Sequence, residues 1–253
     1  MKMWYTNYGG FCMIKHIKNV DINYIDYGEG EKTLVLLHGW GQNIEMMKPV
    51  GDRLSNNRIV IIDLPGYGKS SEPDYVWTIY DYVDCIKELL DSLNINKPIL
   101  IGHSFGGKIS LVYASIYDVE KLILFGSPFK KKVEKLSIKT KLLKKAKKIP
   151  GLNKLEGFAK KHMGSTDYRN ASDMMRKILV STVNLDVTDD VKKIKCPTLI
   201  IWGTLDEAVP VEDAYELEKL ISDAGVVVYE GCSHYAYLER LNQVVNVIKV
   251  FIN

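Results

Sequence analysis

The stretch Pro98-Ile-Leu-Ile-Gly-His-Ser-Phe-Gly-Gly-Lys108 combines a short apolar run with a serine between glycines. The apolar run at its start is too short for a helix of normal length and predicts a buried strand. A helical pattern follows over residues 104–117. The G-x-S-x-G pattern from Gly102 to Gly106 therefore falls at a sharp turn between a strand and a helix, where such a pattern indicates a nucleophile. Ser104 is the candidate nucleophile.

The rest of the chain alternates short β-branched apolar runs with amphipathic stretches, which predicts an α/β fold with a mostly parallel sheet. The predicted strands cover residues 12–18, 21–27, 33–38, 58–62, 98–101, 121–125, 198–202 and 226–229. The first two form an antiparallel start. The predicted helices cover residues 78–93, 104–117, 212–221 and 240–251.

Residues 128–192 break this alternation, because they contain helical segments but no strand-like run. Pro150-Gly151 and Gly164-Ser165 divide these segments. We therefore expect a helical cap inserted into one core. Residues 1–127 form the first part of that core, residues 128–192 the cap, and residues 193–253 the second part.

Composition excludes several classes of protein. The chain has 253 residues, of which 46% are hydrophobic, so it can bury one sizeable core. A net charge of only +3 argues against nucleic acid as a partner. No apolar run approaches the roughly 20 residues of a membrane span, and the N-terminus lacks the features of a secretory signal, which predicts a cytoplasmic location. The four cysteines form no C-x-x-C pair, so neither a disulfide scaffold nor a metal site is expected.

Charge is concentrated in one segment. Residues 128–162 hold thirteen lysines and two glutamates, a net charge of +11, so the remainder carries −8. One interpretation is a solvated face of the cap. The other is attraction of an anionic substrate, an acidic carrier protein or an anionic surface.

A serine nucleophile needs a general base and a carboxylate that orients the base. His234 is the candidate base, because it follows the last predicted strand and active sites of open α/β sheets form at the carboxyl ends of the strands. Asp206, in the loop after strand 198–202, is the candidate acid. Glu207 is the nearest alternative, and Asp189 or Asp190 a weaker one.

The oxyanion formed by serine attack needs two N–H donors. The backbone amides of Phe105 and Trp40 are the candidates, the latter in the glycine-rich turn 38–42. His38, Phe129, Met163 and Met174 are candidates to line a substrate pocket. For the cap residues among them, helical spacing favours the alternative of plain cap core.

Five motifs together resemble the α/β-hydrolase superfamily over nearly the full length of the chain. They are His38-Gly-Trp-Gly41, Asp63-Leu-Pro-Gly-Tyr-Gly-Lys-Ser70, Gly102-His-Ser-Phe-Gly-Gly107, Trp202-Gly-Thr-Leu-Asp206 and Gly231-Cys-Ser-His234. The resemblance implies an eight-stranded sheet with a helical cap after strand six, a Ser104–His234–Asp206 triad and no cofactor. The first and third motifs are also similar to the carboxylesterases that cleave pimeloyl carrier-protein methyl ester.

The expected activity is hydrolysis of a carboxylic ester or thioester of a small or acyl-chain substrate through an acyl-enzyme. Carbon–carbon bond hydrolysis and perhydrolysis are open to the same triad. A non-catalytic binding module on the same fold is a further alternative. Gly102 to Lys108 also nearly matches a phosphate-binding loop, and Asp63-Leu-Pro-Gly66 resembles a D-x-x-G motif, but Ile109 offers no hydroxyl to a metal and the order of the motifs is reversed.

Overall fold

The computed structural model describes residues 3–5, 11–131 and 171–253. The strands there are β1 Met3–Tyr5, β2 Phe11–Ile17, β3 Val20–Tyr27, β4 Thr33–Leu37, β5 Arg58–Ile62, β6 Ile99–His103, β7 Lys121–Phe125, β8 Thr198–Gly203 and β9 Ala224–Tyr229. The helices are α1 Ile44–Asp52, α2 Ile79–Ser92, α3 Phe105–Ile116, α4 Asp173–Asn184, α5 Thr188–Val191, α6 Glu212–Leu220, α7 Ala236–Glu239 and α8 Leu241–Ile252.

The strands form one sheet in the order β1-β2-β3-β5-β4-β6-β7-β8-β9. The first three strands are antiparallel, and β3 also runs antiparallel to β5. All pairs from β5 to β9 are parallel. The predicted α/β class with an antiparallel start is therefore confirmed. The eight expected strands correspond to β2–β9, and the three-residue β1 adds a ninth at the edge.

Alternate residues of the central strands face two separate apolar layers, as the two-residue period of a strand requires. Leu37, Ile62 and Leu124 lie in the larger cluster, with residues of α2, α3 and α6. Leu36 and Ile123 point to the opposite face, where α1 and α8 cover them. Helices therefore bury the parallel strands on both sides and leave the carboxyl ends of the strands as the place for a site.

Helix α2 shows why the sequence predicted its elements well where caps and periodicity agree. Thr78 accepts a hydrogen bond from the amide of Asp81, and the Asp81 carboxylate accepts one from the amide of Thr78. Ile79, Val83 and Ile86 then recur on the buried face. The expected helix at 78–93 is confirmed.

Two helical regions differ from expectation. Helix α1 was not predicted, because Pro49 lies within it and Gly51 near its end, both of which read as helix breakers. The helix expected at 240–251 is confirmed as α8, and the short α7 that precedes it, with Arg240 between the two, was not predicted.

The cap falls partly on residues that the structure describes. In that part, β7 leads into residues 128–131, and α4 and α5 precede β8. The amide of Val187 joins these arms by donating to the carbonyl of Phe129 at 2.9 Å, and Lys130 ties the departing arm to Asp213 on α6 at 3.0 Å. The rest of the expected cap, residues 132–170, lies outside the described residues.

Candidate active site

Ser104 occupies the turn between β6 and α3, with φ of 51° and ψ of −110°. Backbone angles with positive φ are rare for residues other than glycine and cost of order 1–3 kcal/mol. The amide of Ser104 donates to the carbonyl of Phe125 at 2.9 Å, which fixes the turn to β7. A Cβ added at Gly106 would lie 2.4 Å from the carbonyl oxygen of Leu37, so this glycine permits the close approach of α3 to the end of β4.

His234 and Asp206 form a hydrogen-bonded pair. His234 lies in the histidine loop, residues 231–235, which follows β9, and its Nδ1 is 2.7 Å from Oδ2 of Asp206. The Asp206 side chain is fully buried, and its Oδ1 accepts the amides of Ala208 and Val209, each at 2.9 Å. A carboxylate held in this way keeps the proton of a neutral imidazole on Nδ1 and leaves Nε2 able to accept a proton.

The alternative carboxylates have other partners or lie in solvent. Asp190 accepts the Tyr80 hydroxyl at 2.8 Å and pairs with Lys193 at 2.9 Å. Asp189 is almost fully exposed, and Glu207 is exposed. Of the four candidate carboxylates, Asp206 is the one in contact with His234 among the described residues.

Gly126 is a residue of this site that the sequence reasoning missed. Its φ is +50°, and a Cβ added to it would lie 2.9 Å from Nδ1 of His234 and 3.1 Å from Oδ2 of Asp206. The absence of a side chain therefore lets the backbone at the end of β7 pack directly against the pair. The available signal was a glycine immediately after a buried strand that lies next to the serine turn.

The three predicted residues lie at the carboxyl ends of β6, β8 and β9, at one edge of the sheet. Ser104 bonds to the backbone of Phe125, which adjoins Gly126, and Gly126 packs against His234 and Asp206. Within the described residues the Ser104 hydroxyl makes no hydrogen bond, to His234 or to any other group. The hydrogen bond between a catalytic nucleophile and its base is often long in unliganded enzymes and shortens when substrate binds.

Trp40 and Phe105 place two backbone amides beside the serine turn. Trp40 belongs to the glycine loop, residues 38–42, which follows β4, and its indole packs edge-on against the Phe105 ring at 5.1 Å. In the described parts of the chain neither amide donates to another group. The amide of Phe105 is also the first of α3, where the helix dipole favours negative charge.

His38 is fully buried, and backbone groups occupy both of its ring nitrogens. Its Nδ1 is 2.7 Å from the carbonyl of Gly39, and its Nε2 accepts the amide of Leu64 at 3.0 Å. Burial lowers the pKa of His38 to about 4, so the ring is neutral at pH 7. The ring therefore has no free polar atom for a substrate, and its place in the glycine loop is that of a support.

Two other predicted pocket residues, Phe129 and Met174, belong to the core or pack against it. Phe129 is fully buried, and Met174 packs against the larger apolar cluster. Their contact with a substrate stays a prediction. Met163 lies outside the described residues.

The nucleotide-hydrolase hypothesis fails on Lys108. Its ammonium group is buried and donates to the carbonyl oxygens of Thr182, at 2.9 Å, and Leu185, at the end of α4. A phosphate-binding lysine must instead be open to the ligand. Lys108 therefore joins α3 to the returning arm of the predicted cap.

Asp63 of the D-x-x-G motif is equally committed to the protein. Its carboxylate accepts the amide of Ile44 at 2.8 Å, the side-chain amide of Asn23 at 2.7 Å and the amide of Lys69 at 2.8 Å. Gly68 approaches this carboxylate so closely that an added Cβ would lie 2.1 Å from it. Asp63, directly after β5, thus joins β3, the start of α1 and the loop at Lys69.

Two absences within the described residues concern membranes and metal ions. No helix in residues 11–131 or 171–253 is long and apolar enough to cross a bilayer. In the same ranges no group of three or more His, Cys, Asp or Glu side chains is arranged to hold a metal ion.

Comparisons with known proteins agree with this geometry. A sequence model described as the Alpha/beta hydrolase family matches residues 34–247. A 2-hydroxy-6-oxononadienedioate/2-hydroxy-6-oxononatrienedioate hydrolase of Paraburkholderia phymatum is 27% identical over 88% of this chain and 88% of its own. A pimeloyl-[acyl-carrier protein] methyl ester esterase of Aliivibrio fischeri is 26% identical over 89% of this chain and 95% of its own. The solved enol-lactonase from Burkholderia xenovorans LB400 shares the fold, with a TM-score of 0.75 at 22% identity over 95% of this chain and 99% of that chain.

Proposed function

Since the chain belongs to the alpha/beta hydrolase family and is therefore a hydrolase, we propose that it cleaves a carboxylic ester or thioester with Ser104, His234 and Asp206. The observation that carries the proposal is the 2.7 Å pair of His234 and Asp206, packed on Gly126 beside the Ser104 turn. Membership of a family of enzymes also disfavours the non-catalytic alternative.

In the proposed mechanism, Ser104 Oγ attacks the acyl carbon while Nε2 of His234 takes the hydroxyl proton. Asp206 keeps the imidazole oriented and stabilises it when it is charged. The amides of Trp40 and Phe105 donate to the oxyanion. His234 then protonates the leaving alcohol or thiol and an acyl-enzyme remains. Water attacks that acyl-enzyme, gives its proton to His234, and the acid product leaves as Ser104 recovers its proton.

The test uses p-nitrophenyl esters of increasing acyl length with the wild type and Ser104→Ala. We expect the substitution to lower turnover by at least about a thousandfold, because it removes the nucleophile. A fluorophosphonate probe should add to Ser104 of the wild type, as seen by peptide mass spectrometry, and not to the variant. A wild type that stays unlabelled would refute the assignment of Ser104 as nucleophile.

A carbon–carbon bond hydrolase is the second candidate, because one relative is named for 2-hydroxy-6-oxononadienedioate. The same nucleophile and base serve both reactions, so the identity of the substrate determines which of the two reactions occurs. Incubation with that compound and with a short p-nitrophenyl ester, compared by kcat/KM, separates the two candidates. We expect the ester to be preferred.

We further propose that an acidic carrier protein bears the acyl group of the substrate. The support is the methyl ester esterase relative, named for acyl-carrier protein, together with the +11 charge of residues 128–162. We also propose a helical cap over residues 128–192 and a cytoplasmic location for the protein.

A further inference from the structure

His103, which precedes the nucleophile, is fully buried and touches both loops that the proposed reaction uses. Its Nε2 lies 3.1 Å from the backbone carbonyl of His234. Its Nδ1 lies 3.1 Å from the side-chain carbonyl oxygen Oε1 of Gln42. Both of these atoms are carbonyl oxygens, which only accept, so the neutral ring donates its single proton to one of the two loops and rests against the other by packing.

Gln42 connects this ring to the glycine loop. Its Oε1 accepts the amide of Gly39 at 3.0 Å, and its Nε2 donates to the hydroxyl of Tyr235 at 3.3 Å. Gly39 itself lies on the ring of His103, because a Cβ added there would be 2.8 Å from Nδ1. One side-chain amide thus contacts the glycine loop, His103 and the histidine loop.

The position of these contacts in the sheet explains why a link is needed. The glycine loop follows β4 and the histidine loop follows β9, which are four places apart in the sheet order. At about 4.8 Å per strand, the ends of these strands are roughly 19 Å apart. Both loops therefore have to reach inward to the end of β6, where His103 meets them.

Packing holds the link in place. The His103 ring lies 4.7 Å from the His234 ring and 4.8 Å from the Tyr237 ring, measured between centroids. Burial and the neighbouring His234 hold the pKa of His103 well below its usual range, so the ring stays neutral and has one proton to donate. Water does not compete for a ring with no exposed surface.

We propose that His103 and Gln42 are positioning residues, which set the amide of Trp40 and the imidazole of His234 relative to each other across Ser104. The inference rests on the proposed function, because it assigns those two groups as oxyanion donor and base. Neither positioning residue contacts substrate in this scheme.

Kinetics with p-nitrophenyl butyrate provide the first test. His103→Phe keeps a ring but has no donor, and we expect kcat to fall about a hundredfold, as for a displaced catalytic group, while KM changes less than about twofold. His103→Gln keeps an amide donor and should recover most of that loss. Gln42→Leu should lower kcat about tenfold, whereas Gln243→Leu, the same change on the exposed face of α8, should leave kcat unchanged.

A double-mutant cycle separates a link from two independent effects. If His103 and Gln42 act through one another, the double variant His103→Phe/Gln42→Leu should be no slower than His103→Phe alone. Multiplying effects would overturn the proposal, and so would a kcat for Gln42→Leu equal to that of the wild type. Gln42→Leu changes a half-buried residue, so it decides the matter even if His103→Phe does not fold.

Amide hydrogen exchange provides a test that needs no substrate. Gln42→Leu should speed exchange in the histidine loop, residues 231–235, by about tenfold, although Gln42 belongs to the other loop. Unchanged exchange there would overturn the link alone. An unlabelled and inactive wild type would overturn the proposed function alone, so the two failures are distinguishable.

Discussion

At Gly126, the room that a missing side chain leaves is filled by the His234–Asp206 pair. We expect Gly126→Ala to lower kcat by at least about tenfold, because a methyl group would displace the imidazole or the carboxylate and the positive φ would be strained. Gly225→Ala is the matched control, since a Cβ at Gly225 meets nothing within 4 Å. Steady-state kinetics of both variants check the expectation, which fails if Gly126→Ala turns over at the wild-type rate.

Asp206 and its neighbour Glu207 provide a second comparison of single residues. Asp206→Asn should lower kcat by roughly a thousandfold or more, since an amide does not hold the imidazole in the tautomer that the serine needs. Glu207→Gln changes an exposed side chain one residue away and should leave kcat within about twofold. The reverse ranking of the two variants would reassign the acid.

At this scale the sequence predicted the residues that carry a local motif. Ser104, His234 and Asp206 follow predicted strands, and the carboxyl ends of parallel strands meet at one edge. His103, Gln42 and Gly126 were not singled out, because their roles depend on contacts between segments far apart in the chain. No spacing or composition marks such contacts in a single sequence.

Among the elements, α3 and α4 are joined by Lys108, whose ammonium group meets carbonyls at the end of α4. Lys108→Met should lower the free energy of unfolding by about 2 kcal/mol at pH 7, because it leaves two buried carbonyl groups without that donor. Lys87→Met is the control, since Lys87 forms an exposed pair with Asp91 one helical turn away that is worth less than about 0.5 kcal/mol. Urea unfolding of the three proteins measures the difference.

The same lysine predicts a pH dependence of stability. Burial lowers the pKa of Lys108 to about 8, against 10.5 in the unfolded chain. Between those values the unfolded chain binds a proton that the native protein has released, so the free energy of unfolding contributed by Lys108 rises with pH, by at most about 3 kcal/mol. Lys108→Met should lack this rise in urea titrations between pH 7.5 and 10.

Elements with strong local signals were predicted closely, and the others were not. Strands at 58–62 and 121–125 have the expected bounds because short runs of β-branched and leucine residues are flanked by polar turns. Helix α1 escaped prediction because tertiary burial of Met47 and Val50 outweighs its internal proline. Among the residues that the structure describes, the short β1 pairs with β2 alone.

For the whole molecule, the separation of charge between residues 128–162 and the rest predicts a dependence on salt. If the segment attracts an acidic carrier protein, kcat/KM for an acyl ester borne on such a carrier should fall about tenfold between 20 and 300 mM salt, conditions chosen to span weak and strong screening. Turnover of a neutral p-nitrophenyl ester should stay constant and is the internal control.

Charge reversal within the segment tests the same attraction. Replacing Lys144, Lys145, Lys147 and Lys148 by glutamate should abolish the salt dependence with the carrier-borne ester and leave the neutral ester unaffected. An unaltered salt dependence would return the lysines to the role of a solvated face.

The amide of Val187 is bonded to the carbonyl of Phe129, and Lys108 holds the end of α4. The points at which the chain leaves the core after β7 and returns to it before β8 are therefore fixed relative to each other. The register between β7 and β8 therefore does not depend on the number of residues between Phe129 and Val187. That segment can therefore be exchanged for a longer or shorter one, in evolution or by protein engineering. Such an exchange can alter substrate preference while the catalytic residues keep their positions.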